Sequence, residues 1–265
     1  MLALTGLFIG FVGGMVGLVL GVIRYPIILD IETSASVTAG TNLGISTLGS
    51  ITASIKHYRQ NNIDFQVFIM IAVTGAIASF IGSFLTNYVS TVFLLVIIGI
   101  TVSYESFSLI RNSNKLKIKF KHKNQDNEVD INNHINNPVI HNSKLLIAES
   151  IIGFAVGLLG GLVGLVLGSI RMPAMISILK LKPRIAVGTN LACASIMGIT
   201  GLTGHILNNN VDYIILVIMG LGAMIGAYLG AKYTNKFSDS SLKFLIGLVL
   251  IVVAISMFVK VLIML

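Results

Sequence analysis

Gly13-Gly14-Met15-Val16-Gly17-Leu18-Val19-Leu20-Gly21-Val22-Ile23-Arg24-Tyr25-Pro26 returns later in the chain as Gly160-Gly161-Leu162-Val163-Gly164-Leu165-Val166-Leu167-Gly168-Ser169-Ile170-Arg171-Met172-Pro173. The two stretches differ only at Met15/Leu162, Val22/Ser169 and Tyr25/Met172. Shared apolar composition cannot return an Arg and a Pro to the same places, so the match marks an internal repeat. After a one-residue slip it continues. Gly40-Thr41-Asn42-Leu43 matches Gly188-Thr189-Asn190-Leu191, and His57 matches His205. Asn61-Asn62 matches Asn209-Asn210, Asp64 matches Asp212, and Gly82 and Gly99 match Gly230 and Gly247. The chain reads as a duplication.

What is duplicated belongs in a bilayer. Apolar residues make up 55% of 265 positions and charged residues 11%, against roughly a quarter charged in soluble domains. A helical crossing takes about 20 apolar residues. Residues 1–23 and 33–55 carry no charge, and 65–104 is long enough for two helices joined near Thr86-Asn87-Tyr88. Residues 150–170, 185–207, 213–231 and 242–262 supply four more apolar stretches. The expected fold is all-α and integral to the membrane, with about eight transmembrane helices as two homologous four-helix repeats. Residues 1–111 form the first repeat, 112–146 a polar, Lys- and Asn-rich loop, and 147–265 the second repeat. The first stretch lacks a basic leader and a small-residue cleavage site and has a later counterpart, so it reads as a permanent helix.

The net charge of +8 follows membrane topology and gives no reason to expect nucleic acid. Lys115, Lys117, Lys119, Lys121 and Lys123 share one loop, and most other basic residues sit at helix ends. By the excess of Lys and Arg on the inner side, the central loop and both termini are expected in the cytoplasm and the protein in the cell membrane. Four crossings per unit would insert both copies the same way up; a re-entrant glycine-rich segment would instead make them inverted. The single Cys193 excludes an intrachain disulfide and a cysteine metal cluster. No nucleotide-binding loop, paired-carboxylate site or histidine cluster is seen. The reading is therefore not an enzyme, with no metal, no cofactor and no ATP-driven pumping, and the oligomeric state stays open.

A glycine-rich first helix, an Arg and a Pro just after it, and a Gly-Thr-small-Leu tetrad in the next helix, all occurring twice, resemble the TauE/SafE sulfite exporter family. The resemblance covers everything except the central loop. It implies a secondary carrier or exporter of small anions such as sulfite and organosulfonates. The family commonly shows Gly-x-Gly-Gly-Gly before the Pro; here Val19-Leu20-Gly21 and Val166-Leu167-Gly168 set branched side chains where the family has bare backbone.

The candidate site residues come from the repeat itself. Arg24 and Arg171 offer a permanent charge and a planar fork of donors suited to oxyanions, and ionisable groups within a membrane are functional candidates; snorkelling to the interface is the structural alternative. Thr41, Asn42, Thr189 and Asn190 either line the same substrate cavity or bond between helices. Together the six are expected to form one pseudo-symmetric anion site near the repeat axis. Gly17, Gly21, Pro26, Gly164, Gly168 and Pro173 mark either close helix packing or a broken helix lining a cavity. His57 and His205 are candidates for a proton relay or for the interface, and Glu105 for proton coupling. Asp64 and Asp212 read as loop or cap residues. The expected partners are a small anionic substrate and the lipid bilayer. A non-transporting membrane scaffold or assembly factor is the alternative, and a cavity lined by the arginines discriminates between the two.

Overall fold

The computed structural model describes residues 1–16, 20–32, 34–123, 143–179 and 181–233, with 251, 254–255, 258–259 and 261–263. Gly17, Gly247, most of the polar loop and most of the expected last span lie outside the described residues. The helices are α1 (Leu2–Val16), α2 (Gly21–Glu32), α3 (Ala35–Tyr58), α4 (Phe65–Leu85), α5 (Thr91–Lys123), α6 (Ser143–Val163), α7 (Gly168–Ser177), α8 (Pro183–Leu207) and α9 (Tyr213–Tyr233). Four stretches, Phe65–Tyr88, Leu146–Val163, Arg184–Leu207 and Tyr213–Lys232, are long and apolar enough to cross a membrane. The 24 residues of α3 reach about 36 Å. Its Thr, Ser and Asn residues lower its hydropathy, and most of them are buried against other helices. The lysine run lies at the end of α5, so the polar segment 112–146 overlaps that helix and the start of α6.

Local chemistry sets the helix ends. Asp64 Oδ1 accepts from Gln66 N and Val67 N at 3.1 Å, and Asp212 Oδ1 accepts from Ile215 N at 2.7 Å. Both are N-caps. At the preceding C-termini Asn61 and Asn209 take left-handed backbone, φ 54° and 55°. Asn62 N and Asn210 N then donate back to His57 O and His205 O. This is the closure by which helices turn off, and it occurs once in each half.

The first expected span of each half is not one helix. α1 ends at Val16 and α2 begins at Gly21; α6 ends at Val163 and α7 begins at Gly168. The breaks precede Pro26 and Pro173, which lie within α2 and α7. In the second half Gly164 has φ +70°, and Leu165 N donates to Gly160 O at 3.0 Å to close α6. A Cβ at Gly164 would collide with the Ala39 carbonyl. Glycine is therefore required twice over, for the left-handed backbone and for the close approach.

Helix directions follow from the contacts. Gly6, Gly10 and Gly14 of α1 press against the carbonyls of Met219, Ala223 and Ala227 of α9, so the two helices run parallel. Gly153, Gly157 and Gly161 of α6 press in the same way on Ile71, Gly75 and Ser79 of α4. The glycine faces thus join the first helix of one half to a later helix of the other; they do not join the two first helices to each other. Removing side chains lets backbones approach closely where hydrophobic driving force is absent. At the centre α3 and α8 are antiparallel: Leu43 meets Gly201, Thr47 meets Gly198 and Ser50 meets Ser195. Matching helices therefore run in opposite directions, and of the two parities the sequence left open the contacts fit the inverted one. The physical reason is the broken first segment. α2 returns along α3, with Gly21 beside Asn42 and Ser46 and the Tyr25 hydroxyl donating to Ala35 O. α1 and α6 consequently start at opposite ends of the bundle, so one side of a membrane cannot hold both the N-terminal end of α1 and the polar segment leading into α6.

Candidate functional site

Arg24 and Arg171 are enclosed, at 2% and 0% exposure. Snorkelling does not describe them. α2 and α7 carry them inward from the two breaks, and α3 and α8 receive them. Arg24 Nε donates to Asn42 Oδ1 at 3.4 Å and Nη2 to Ser46 Oγ at 2.7 Å. Arg171 Nε donates to Asn190 Oδ1 at 2.8 Å, Nη2 to Asn190 O at 3.0 Å, and Nη1 approaches Met197 Sδ at 3.0 Å. Every one of these partners is neutral. A buried cation with no counter-charge among the described residues carries an effective desolvation cost of roughly several kcal/mol, which an arriving anion would offset.

Each arginine lines its own cavity. One lies between α1, α3 and α9 and is bounded by Arg24, Leu20, Ser46, Gly49 and Ser50. The other lies between α4, α6 and α8 and is bounded by Arg171, Leu165, Val166, Leu167 and Met197. The expected single site holding both arginines is thus two cavities with one guanidinium each. The unwound residues Leu165–Leu167 are buried, and Asn42 Nδ2 donates to Gly164 O at 2.9 Å. Asn42 therefore touches the arginine of its own half and the break of the other half. Non-helical backbone at membrane depth is tolerated where protein or a cavity receives its polar groups.

Thr41 and Thr189 take a different position. Thr41 Oγ1 accepts from Asp212 N at 2.8 Å and Thr189 Oγ1 from Asp64 N at 2.9 Å. These reciprocal bonds tie each central helix to the loop of the opposite half. Gly21 and Gly168 sit beside the amide groups of Asn42 and Asn190, leaving no space for a side chain. His57 and His205 are buried. His205 Nε2 donates to Gly161 O at 2.9 Å, and Asn62 Nδ2 donates to His57 Nδ1 at 3.5 Å. Those contacts place them at the helix ends that hold the hairpins, and neither histidine lines an arginine cavity. Glu105 is on α5. Among the described residues no three His, Cys, Asp or Glu side chains are grouped as a metal site.

Sequence reasoning passed over several residues here. Ser46, Ser50, Gly49 and Met197 line the cavities, and comparing the halves beyond the Gly-Thr-Asn-Leu tetrad would have found them. Glu149, 0% exposed on α6, was missed because it stands one residue before the uncharged run. Glu32, at the outer end of α2, bonds Asp212; partial burial first, then the neighbouring carboxylate, hold its pKa above the usual carboxylate value.

Comparison with known proteins points the same way. The family model "Sulfite exporter TauE/SafE" matches residues 2–257. The chain is 24% identical over 265 residues to "Probable membrane transporter protein YunE" of Bacillus subtilis, covering 95% of this chain and 94% of that protein. It is 27% identical over 248 residues to "Probable membrane transporter protein YdhB" of the same organism, covering 91% and 90%. A more distant relative, "Probable membrane transporter protein MJ0441" of Methanocaldococcus jannaschii, is 22% identical over 97% of this chain and 94% of its own length. No solved structure matches. With all but the last few residues of the chain inside the family's pattern, this is a member of the TauE/SafE sulfite exporter family of membrane transporters.

Proposed function

We propose that the chain is a secondary carrier of small anions, of the sulfur oxyanion or organosulfonate class, in the cell membrane. It is built from two inverted repeats, 1–111 and 147–265, each a broken hairpin followed by crossing helices. One observation carries the reading: two buried arginines with only neutral partners, each beside a cavity at a helix break. An anion entering such a cavity replaces its hydration with a fixed guanidinium and hydroxyl or amide donors. Inverted repeats give alternating access its usual physical basis, since two near-equivalent packings can exchange roles across the membrane. The lysine-rich segment before α6 lies on the cytoplasmic side in this reading, and the N-terminal end of α1 on the other.

The test is transport by purified protein in liposomes, with sulfite, methanesulfonate, sulfate, acetate and chloride compared, with and without a pH gradient. Saturable exchange of the sulfur oxyanions, lost in Arg24→Gln, is the expected result. No flux of any anion across protein-containing vesicles, with monodisperse folded protein, would overturn the carrier and favour the scaffold.

A further inference from the structure

We infer that the two arginine cavities have diverged, so that the anion is held at Arg24 and Ser46 alone while Arg171 serves as a clamp in the framework. The inference rests on the carrier reading and adds the location, stoichiometry and donor set of its site.

The argument is a count of donors. Arg171 engages all three of its nitrogens: Nε with Asn190 Oδ1, Nη2 with Asn190 O and Nη1 with Met197 Sδ. Arg24 engages two, Nε and Nη2, and its Nη1 makes no hydrogen bond among the described residues. Ser46 Oγ accepts from Arg24 Nη2 and makes no donation among the described residues, so its proton is available to the cavity. Of five N–H donors on each guanidinium, Arg24 therefore keeps three, two of them on Nη1, with the Ser46 O–H beside them, whereas Arg171 keeps two, one on each Nη. Ser50 spends its proton on Thr47 O.

The repeat explains how the halves came to differ. Aligned through Asn42 and Asn190, Ser46 corresponds to Ala194, Gly49 to Met197 and Ser50 to Gly198. The second half thus lacks the hydroxyl and fills the space beside its guanidinium with a thioether. In the first half Gly49 leaves that space open: a Cβ there would meet nothing nearer than Ala223 O at 3.7 Å. The space beside Arg24 is also the larger of the two. Two N–H groups on one nitrogen and a neighbouring O–H, on residues that line one small cavity, suit an anion with at least two oxygens on one atom, such as sulfite or a short sulfonate. Ile9, Leu20 and Ala227 on the remaining wall suit an apolar tail or none. Chloride, a single centre with no fork to match, fits less well.

The decisive experiment exchanges the two cavities. Binding of radiolabelled sulfite and of methanesulfonate to detergent-purified protein is measured at equilibrium, with exchange in liposomes and thermal melting alongside. The expected stoichiometry is one anion per chain. Gly49→Met should weaken binding by about tenfold or more without altering Arg24, since it withdraws a charged hydrogen bond. Ser46→Ala should weaken it several-fold. Ala194→Ser with Met197→Gly should raise the stoichiometry to two. Wild-type protein that exchanges anions but binds two per chain, or that retains wild-type affinity in Gly49→Met and Ser46→Ala, overturns the inference and leaves the carrier standing. Folded protein that neither binds nor exchanges these anions overturns both. A clear preference between sulfite and methanesulfonate would identify whether the apolar wall is used.

Discussion

The two halves agree in their frame and disagree in their cavities. Asp64 and Asp212 cap, Asn61 and Asn209 turn, and Thr41 and Thr189 reach across to the opposite loop, with distances that match closely from one half to the other. Around the arginines the correspondence stops: Ser46, Gly49 and Ser50 face one guanidinium, whereas Ala194, Met197 and Gly198 occupy the equivalent places. A duplicated fold needs both copies of its frame, because each copy's helices pack on the other's. It does not need both copies of a site. On the proposed reading, the difference separates residues that hold the molecule together from residues free to meet a ligand.

That separation can be broken most directly at the arginines. Arg24→Gln should reduce anion exchange by about a hundredfold, as expected for a lost charged hydrogen bond to ligand, and should lower melting less than Arg171→Gln does, since it releases two hydrogen bonds against three. Arg171→Gln should instead lower the melting temperature, since buried acceptors left unpaired cost about 1–3 kcal/mol each. Equal loss of flux and equal loss of stability in the two variants would erase the comparison. Gly164→Ala comes next. The left-handed backbone costs a non-glycine residue roughly 1–2 kcal/mol, and the Ala39 carbonyl leaves no room, so thermal unfolding should shift down by several degrees.

Smaller effects sharpen the symmetric side. Thr41→Val and Thr189→Val each remove one cross-half bond, worth about 1 kcal/mol, and their melting shifts should agree. A marked difference would show that the frame has diverged too. The smallest effect concerns Glu32. Its pKa is raised by burial and by Asp212, so the protonated form makes the contact, and the contribution is present at low pH and fades as pH rises through the raised value. Melting followed from acid to neutral pH should lose a small increment that Glu32→Gln lacks. Identical pH profiles for the two proteins would remove Glu32 from this account.

Much of this was legible in the residues. The helical membrane class follows from uncharged runs, and the arginines, asparagines and caps follow from the repeat. Parity was not legible, because a glycine-rich segment of that length serves equally as one crossing or as a hairpin with an unwound tip. Only the contacts of Thr47 with Gly198 and Gly10 with Ala223 decide it. The role of the threonines was equally hidden: a hydroxyl facing a cavity and one facing a loop amide come from the same letter. Pro26 and Pro173 drew attention to the right neighbourhood, but the breaks fall ahead of them, where Gly164 can take a left-handed turn that no proline permits.

The glycine seams also say something about how such a chain is made. α1 is made well before α9, yet the carbonyls that fill its notches belong to Met219, Ala223 and Ala227 of that later helix. Until then its small-residue face lacks the backbone it packs on. The early helix must wait in the bilayer as an unfinished half of a joint, and assembly closes from the C-terminal half back onto the beginning. A chain cut in the polar segment between α5 and α6 should therefore yield two fragments that are each poorly stable alone and that recover function when produced together.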